Sequence, residues 1–350
     1  SDNRPEWLVL DLAIMGLGAV DVPRGSDSTD DEMAYILRHA DCRITIAENP
    51  RQCEKILGKR DQVPKLKVVV LLDDFPSETD RPKANGITFI TYASLIADGD
   101  AADQEKRDEF ERTVDKGKPD DLATLLYTSG TTGEPKGVML YHRSFIFQMD
   151  RVEKILHLTP EDIFISVLPI WHSFERAVEY IALNYGASLA YSKPVGQILL
   201  ADMAKIRPSW MTSVPRIWEG IRAAVFRNVS KQSPVKQALF HFFVGIGEIH
   251  TTVSNLVFGR MPQFQRRSRI ADFAFGIIPW LLLYPLRALG NVLVFKSLQE
   301  RLGGRFVAGV SGGGALPPYV DQFFQAAGIM VLEGYGLTQT GTVLAVRRPH

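Results

Sequence analysis

The sequence predicts a layered α/β fold, with helices packed on mainly parallel sheets. Two observations carry this. Short apolar runs rich in Val, Ile and Leu recur along the chain, and segments of helical periodicity alternate with them. The composition agrees with a packed core: of 350 residues, 45% are hydrophobic and 23% charged, which excludes wholesale disorder and collagen-like repeats.

The elements follow in order. Residues 7–20 space Leu8, Leu12 and Met15 as one helical face, with Asn3 and Pro5 as start signals. Residues 22–26 form a loop. Thr29 then opens a second helix with Met33, Ile36 and Leu37 on one side. Residues 42–47 read as a short strand and 68–72 as a buried one. Residues 101–121 are charged throughout, the pattern of a solvated surface helix or loop. Residues 122–127 make a strand, followed by a glycine-rich loop at 129–137 and a helix from about Tyr141. Residues 164–168, 187–191, 307–311 and 329–332 complete the strands. The reading divides the chain at 1–121, 122–220, 221–300 and 301–350, and the third section is helical, mixing arginine with aromatic residues.

Charge and cysteine content narrow the function. Lys plus Arg number 40 and Asp plus Glu number 40, so the net charge is zero and a large nucleic-acid footprint is not expected. Cys42 and Cys53 are the only cysteines. They form no disulfide framework and no zinc pair, and a reducing, cytoplasmic setting is expected. The polar start lacks a basic region ahead of its first apolar run, so no signal peptide is expected there, and the missing initial Met points to a fragment. The longest uncharged apolar run, residues 273–286, has fourteen residues, short of the ~18–20 that span a bilayer.

The chemistry concentrates in Tyr127-Thr128-Ser129-Gly130-Thr131-Thr132-Gly133-Glu134-Pro135-Lys136-Gly137. Glycines let backbone approach a polyanion, hydroxyls and N–H groups donate to it, and a lysine adds a point charge. Such a loop suits a triphosphate. It is not a Walker A motif, because Gly137 follows Lys136 where Ser or Thr is required.

This loop resembles the signature of the adenylate-forming superfamily. Four further blocks resemble that family in its own order. Leu168-Pro169-Ile170-Trp171-His172-Ser173-Phe174-Glu175-Arg176 is similar to the LPxxHxxER block of long-chain acyl-CoA synthetases. Val214-Pro215-Arg216-Ile217-Trp218-Glu219, Ser311-Gly312-Gly313-Gly314-Ala315-Leu316 and Glu333-Gly334-Tyr335-Gly336-Leu337-Thr338-Gln339-Thr340 are similar to the blocks that follow. The resemblance covers the whole chain. It implies a large N-terminal adenylate-forming domain without its C-terminal lid domain.

It also implies roles. Thr128, Ser129, Gly130, Thr131, Thr132, Gly133 and Lys136 would hold the β- and γ-phosphates of ATP. Gly313, Gly314 and Ala315 would line the purine edge, with Glu333, Gly334 and Gly336 around a stacking Tyr335. Thr338 would meet the α-phosphate. Taken alone His172 reads as a satisfied core histidine; in its block the resemblance makes it a catalytic residue beside the carboxylate, with Lys136 and Thr338. Mg²⁺ would be met by Thr128 and by Gln339, which stands where the family carries Glu. A neutral amide is a weaker ligand for a hard cation.

The implied reaction is activation of a long-chain fatty acid to an acyl-adenylate, with transfer to CoA. A ligase that loads a carrier protein, and a non-catalytic relative that binds nucleotide or lipid, are the alternatives. Within 221–300, Arg260, Arg266, Arg267 and Arg269 precede the apolar run, so peripheral contact with an anionic membrane is expected, with Trp280 and Tyr284 at headgroup level.

Overall fold

The computed structural model describes residues 1–77, 86–128, 133–152, 154–261 and 267–349. The chain forms two compact units. One comprises Ser1–Phe147 and Pro169–Arg176, the other Gln148–Leu168 and Ala177–His350.

In the first unit, α1 (Pro5–Gly16) and α2 (Asp30–His39) precede β1 (Ile44–Ala47), α3 (Pro50–Leu57), β2 (Val68–Leu71) and β3 (Thr88–Thr91). Thr29 caps α2, its side chain accepting from Glu32 N at 3.2 Å. Acidic residues fill the first turn of α2, and Arg38 and His39 the last, matching the helix dipole. Asn49 caps α3 in the same way. The strands β1, β2 and β3 run parallel in that order. Their apolar faces and those of α2 and α3 close a core around Ala34, Cys53, Ile56, Leu66, Val69 and Leu71. α4 (Tyr92–Asp100) and α5 (Gln104–Lys116) follow, and α5 buries no residue, as its charge pattern predicts.

α1 departs from its expected face. Leu8 and Leu10 are buried, but Leu12 is exposed and Asp11 is buried in its place. A buried ion pair, described below, turns the helix.

The next departure concerns the glycine-rich loop. β4 (Leu122–Thr128) is followed by β5 (Lys136–Tyr141), and only then by α6 (His142–Val152). β4 and β5 pair antiparallel, so the loop closes a hairpin instead of leading directly into a helix. Lys136 and Gly137, poor strand formers, hide the start of β5 in the sequence.

The second unit is built on a six-stranded sheet, in the order β11-β10-β9-β8-β6-β7. Its strands are β6 (Ile163–Ser166), β7 (Ser188–Tyr191), β8 (Trp210–Ser213), β9 (Ala308–Ser311), β10 (Met330–Leu337) and β11 (Thr342–Val346). All neighbours are parallel except β10 and β11. The helices are α7 (Ser173–Asn184), which the first unit begins, α8 (Gly196–Ile206), α9 (Pro215–Ser230), α10 (Pro234–Phe258), α11 (Arg269–Gly290), α12 (Lys296–Arg301) and α13 (Pro318–Ala326). Phe164, Ala182, Trp210, Ala308 and Leu332 pack together in the core. Trp218 is fully buried against Gly309, where a Cβ would come within 2.1 Å of its ring, and its Nε1 donates to Ser213 Oγ at 2.6 Å. Trp218 is therefore a core residue within its motif.

A five-residue π-helical stretch, Asn291–Phe295, joins α11 to α12. The continuous stretch Arg269–Arg301 is, among the described residues, the one helix long and apolar enough to cross a membrane by length and composition. The helix thus extends beyond the fourteen-residue run that its sequence marks out.

Candidate functional site

The first unit carries the hairpin loop and His172. Thr128 and Lys136 are cross-strand partners at the hairpin's mouth, and Tyr127 faces Gly137 one position further in. Gly133 has φ +92°, a left-handed conformation that favours glycine. Gly137 packs closely: a Cβ there would lie 3.2 Å from the Tyr127 ring. Ser129, Gly130, Thr131 and Thr132 lie outside the described residues.

Residues that the sequence does not flag hold this mouth in place. Tyr127 OH lies 2.7 Å from His39 Nδ1, and Arg24 Nη1 donates to the Tyr127 carbonyl at 3.3 Å. Burial pushes the Tyr127 phenol up to about 12, so it stays neutral. Arg24 is itself held by Ser28 and by an ion pair with Glu32.

His172 sits just before α7. Its Nδ1 accepts from Phe174 N at 3.2 Å. Desolvation by its surroundings lowers its pKa below the ordinary histidine value. The neutral ring with an accepting Nδ1 carries its proton on Nε2, leaving an N–H donor for an anionic oxygen. One turn on, Arg176 is fully buried. It pairs with Asp11 of α1, donates to Thr124 Oγ1 of β4 at 2.9 Å, and approaches Asp21 Oδ2 at 3.1 Å. One guanidinium thus faces two carboxylates. Desolvation, opposed by Arg176 and reinforced by Asp11, pushes Asp21 up to about 7. Asp11 interrupts the apolar run of α1, but nothing local in the sequence points to Arg176 as its partner.

The second unit carries the other motifs. Residues 312–316 leave the end of β9, with Gly313 at φ +76°. Leu316 N donates to Glu333 Oε1 at 2.9 Å, so the loop is tied to β10 beside it. Glu333 is thus a loop anchor. Tyr335 is 63% exposed on β10. The strand bulges between Tyr335 and Gly336, and a Cβ on Gly336 would lie 1.7 Å from the Thr342 carbonyl. Thr342 itself has φ +94°, rare for a β-branched residue. Gln148 Nε2 donates to the carbonyls of Gly341 and Val343 at 2.9 and 3.1 Å, securing the turn that follows Thr338 and Gln339. Gly313, Gly314, Ala315, Glu333, Gly334, Tyr335, Gly336, Thr338 and Gln339 therefore share one end of this sheet.

The metal donors expected from the sequence are a hydroxyl, Thr128, and an exposed amide, Gln339, one in each unit. Among the described residues no group of three His, Cys, Asp or Glu side chains could hold a metal ion. Two neutral oxygens do not fit a free-standing site for a hard dication.

The model of one family, AMP-binding enzyme, matches residues 1–350. The chain belongs to this family. It is 32% identical over 363 residues to the probable acyl-activating enzyme 16, chloroplastic, of Arabidopsis thaliana, covering 99% of this chain and 49% of that protein. It is 32% identical over 360 residues to the Arabidopsis long-chain-fatty-acid–[acyl-carrier-protein] ligase AEE15, chloroplastic (99% and 48%). Against long-chain-fatty-acid–CoA ligase 5 of Rattus norvegicus it is 28% identical over 357 residues (100% and 47%). The chain spans about half the length of the curated relatives it matches. Among solved structures it is similar to ATP-bound MatB from Rhodopseudomonas palustris, with a TM-score of 0.62 at 21% identity, covering 99% of this chain and 50% of that one. The fold is the α/β fold of the N-terminal domain of adenylate-forming enzymes.

Proposed function

We propose that this chain is the nucleotide-binding part of a long-chain fatty acid–CoA ligase. The observation that carries the reading is the pairing of Thr128 with Lys136 across a hairpin mouth whose loop is rich in glycine and hydroxyls. In this reading the loop and Lys136 neutralise the β- and γ-phosphates of ATP, and Thr338 donates to the α-phosphate. Tyr335 stacks on adenine, and the backbone of Gly313, Gly314 and Ala315 follows the purine edge.

The chemistry needs no base, because a fatty acid is ionised at pH 7. One carboxylate oxygen attacks the α-phosphorus, the bond to the bridging β-phosphate oxygen breaks, and pyrophosphate leaves. His172 Nε2–H donates to the oxygens that gather charge. In the second step the CoA thiolate attacks the acyl carbon and AMP leaves. Positioning and charge neutralisation do the work. Mg²⁺ would supply charge neutralisation on the phosphates themselves; with Gln339 at hand, no step of this scheme is assigned to a protein-held metal.

The relatives motivate a second acceptor. One at 32% identity is named an acyl-carrier-protein ligase, against 28% for a CoA ligase. A membrane that supplies the acid completes the reading.

The test is ATP–pyrophosphate exchange on the whole protein with fatty acids from short to long chain, followed by transfer to CoA or carrier protein. Exchange that rises with chain length, with acyl-CoA formed, supports the reading. Transfer to carrier protein alone replaces CoA as acceptor. No exchange with any acid, despite ATP binding, leaves a non-catalytic binder.

A further inference from the structure

Helix α11 is inverted relative to a helix on a water-soluble surface. Its solvent side is apolar, and Asp272 and Arg287 are only half-exposed. Phe275, Ile278, Leu282 and Leu289, with Leu293 just beyond, recur at intervals of three, four and seven residues, the spacing of one helical face. All five are exposed, Phe275 to 80% and Leu282 to 71%. Between residues 270 and 295 the sequence holds only two charged side chains, Asp272 and Arg287. Both lie off this face: Asp272 pairs with Arg267 at 3.0 Å, and Arg287 lies over the Phe295 ring at 5.0 Å. Trp280, expected at headgroup level, instead turns inward against His250 and Phe258 of α10.

We propose that this face of α11 lies in the plane of an anionic bilayer, immersed along its length. The inference rests on the membrane contact in the reading above and names the surface and its orientation. Three observations choose this occupant. The face runs about 35 Å from Ile270 to Leu293 at ~1.5 Å per residue, and along it only the Tyr284 hydroxyl is a polar side-chain group. A protein interface of that extent carries a polar rim and about one hydrogen bond per 100–200 Å², whereas acyl chains require none. Cations flank the face: Arg260, Arg267 and Arg269 lie before it, with Asp272 the first acid after them, and Lys296 and Arg301, with Glu300 between them, lie beyond it. That arrangement complements anionic headgroups.

The packing fixes the orientation. A Cβ on Gly276 would meet Val257 at 2.6 Å, and one on Gly290 would meet Phe243 at 2.7 Å, so α11 touches α10 closely at both ends. α10 is in turn pressed on α13, where Gly247 meets Ala326 and Asn255 donates to Gln325 at 3.2 Å. To stand across a bilayer, α11 would have to leave both glycine contacts. Lying flat keeps them, with the rest of the unit serving as its polar side.

The test is flotation of the whole protein with phosphatidylcholine vesicles, with and without phosphatidylglycerol, in the absence of ATP and fatty acid. The expected result is flotation that phosphatidylglycerol strengthens. The double variant Phe275→Glu/Leu282→Glu lowers partitioning on the order of a hundredfold, about tenfold for each buried side chain lost. Val195→Glu, which alters an exposed residue ahead of α8, leaves it unchanged. Fluorophores on Phe275→Cys and Leu289→Cys are quenched to the same shallow depth by brominated lipids. Unequal depths, or flotation that survives the double variant, overturn the inference. So does a failure to float by a protein whose self-association the double variant abolishes, which makes a second copy the occupant. Flotation without pyrophosphate exchange upholds this inference and defeats the acyl-activating one; exchange with soluble acid but no flotation does the reverse.

Discussion

Arg176 Nη1 donates to Thr124 Oγ1 at 2.9 Å, tying the residue one turn after His172 to the strand that ends at Thr128. His172 O also accepts from Arg176 N at 3.1 Å. One buried guanidinium therefore sets the histidine and the β4–β5 hairpin relative to each other within the first unit. Arg176→Met removes the guanidinium that pairs with the buried Asp11, and breaking such a pair costs about 3–5 kcal/mol. The expected outcome is a lower urea midpoint for the first unit, with Arg176→Lys intermediate. An unchanged midpoint would deny the pair its structural role.

The same cluster gives a pH dependence. Asp21 titrates near 7 when folded and near 3.8 when unfolded. Between those values the folded state holds the extra proton, so this group's contribution is full below about pH 4 and is lost as pH rises through 7. Asp21→Asn should remove that slope, giving a variant that gains stability relative to the parent as pH rises. Urea midpoints of both proteins across this range measure it.

This network marks where the sequence stops being legible. Glycine and hydroxyl spacing exposes the loops at 129–137 and 312–316, and apolar runs expose β1, β2, β4, β6, β7, β9 and the start of β10. Arg176 and Asp11 lie 165 positions apart, and no local pattern joins them. β3, β5, β8 and β11 escaped for local reasons. β8 is four residues of Trp, Met, Thr and Ser between prolines, and β5 opens on Lys-Gly. In the site, motif chemistry named the loops, but their anchors, Glu333 to Leu316 and His39 to Tyr127, are visible only in three dimensions.

His172 supports a kinetic prediction. Desolvation lowers its pKa and so favours the neutral ring, with Nε2–H as donor. The acid limb of the pyrophosphate-exchange profile should therefore fall below the pH at which a free histidine titrates. His172→Ala should lower kcat more than it raises KM for ATP, by about 10²-fold or more, as for other donors to developing charge. A change confined to KM would make His172 a binding residue only.

Tyr335 and Gly336 separate binding from folding. Tyr335→Ala removes an exposed ring, so stability should hold while ATP affinity falls by about 1–3 kcal/mol, the worth of a base–aromatic stack. Tyr335→Phe should keep the affinity. Gly336→Ala drives a methyl into the Thr342 carbonyl, and should cost about 2–3 kcal/mol of stability through the bulge. Calorimetric titration with ATP and thermal melts read the two effects. Equal melts for both alanine variants would contradict the close approach at Gly336.

Gln339 is exposed in the turn that follows β10, and no acidic group of the described residues completes a metal site around it. An amide oxygen contributes a dipole where a carboxylate contributes a full charge, so a dication shared between nucleotide phosphates and this turn gains less from the protein. Gln339→Glu should therefore lower the Mg²⁺ concentration that half-saturates ATP binding, and should raise pyrophosphate exchange in parallel. Because residue 339 is exposed, the added charge should leave the melting temperature nearly unchanged, which separates a ligand effect from a folding one. Binding is read by calorimetry at stepped Mg²⁺ concentrations, independently of turnover. If half-saturation stays where it was, the nucleotide alone holds the ion, and the amide at 339 reflects no loss of metal chemistry.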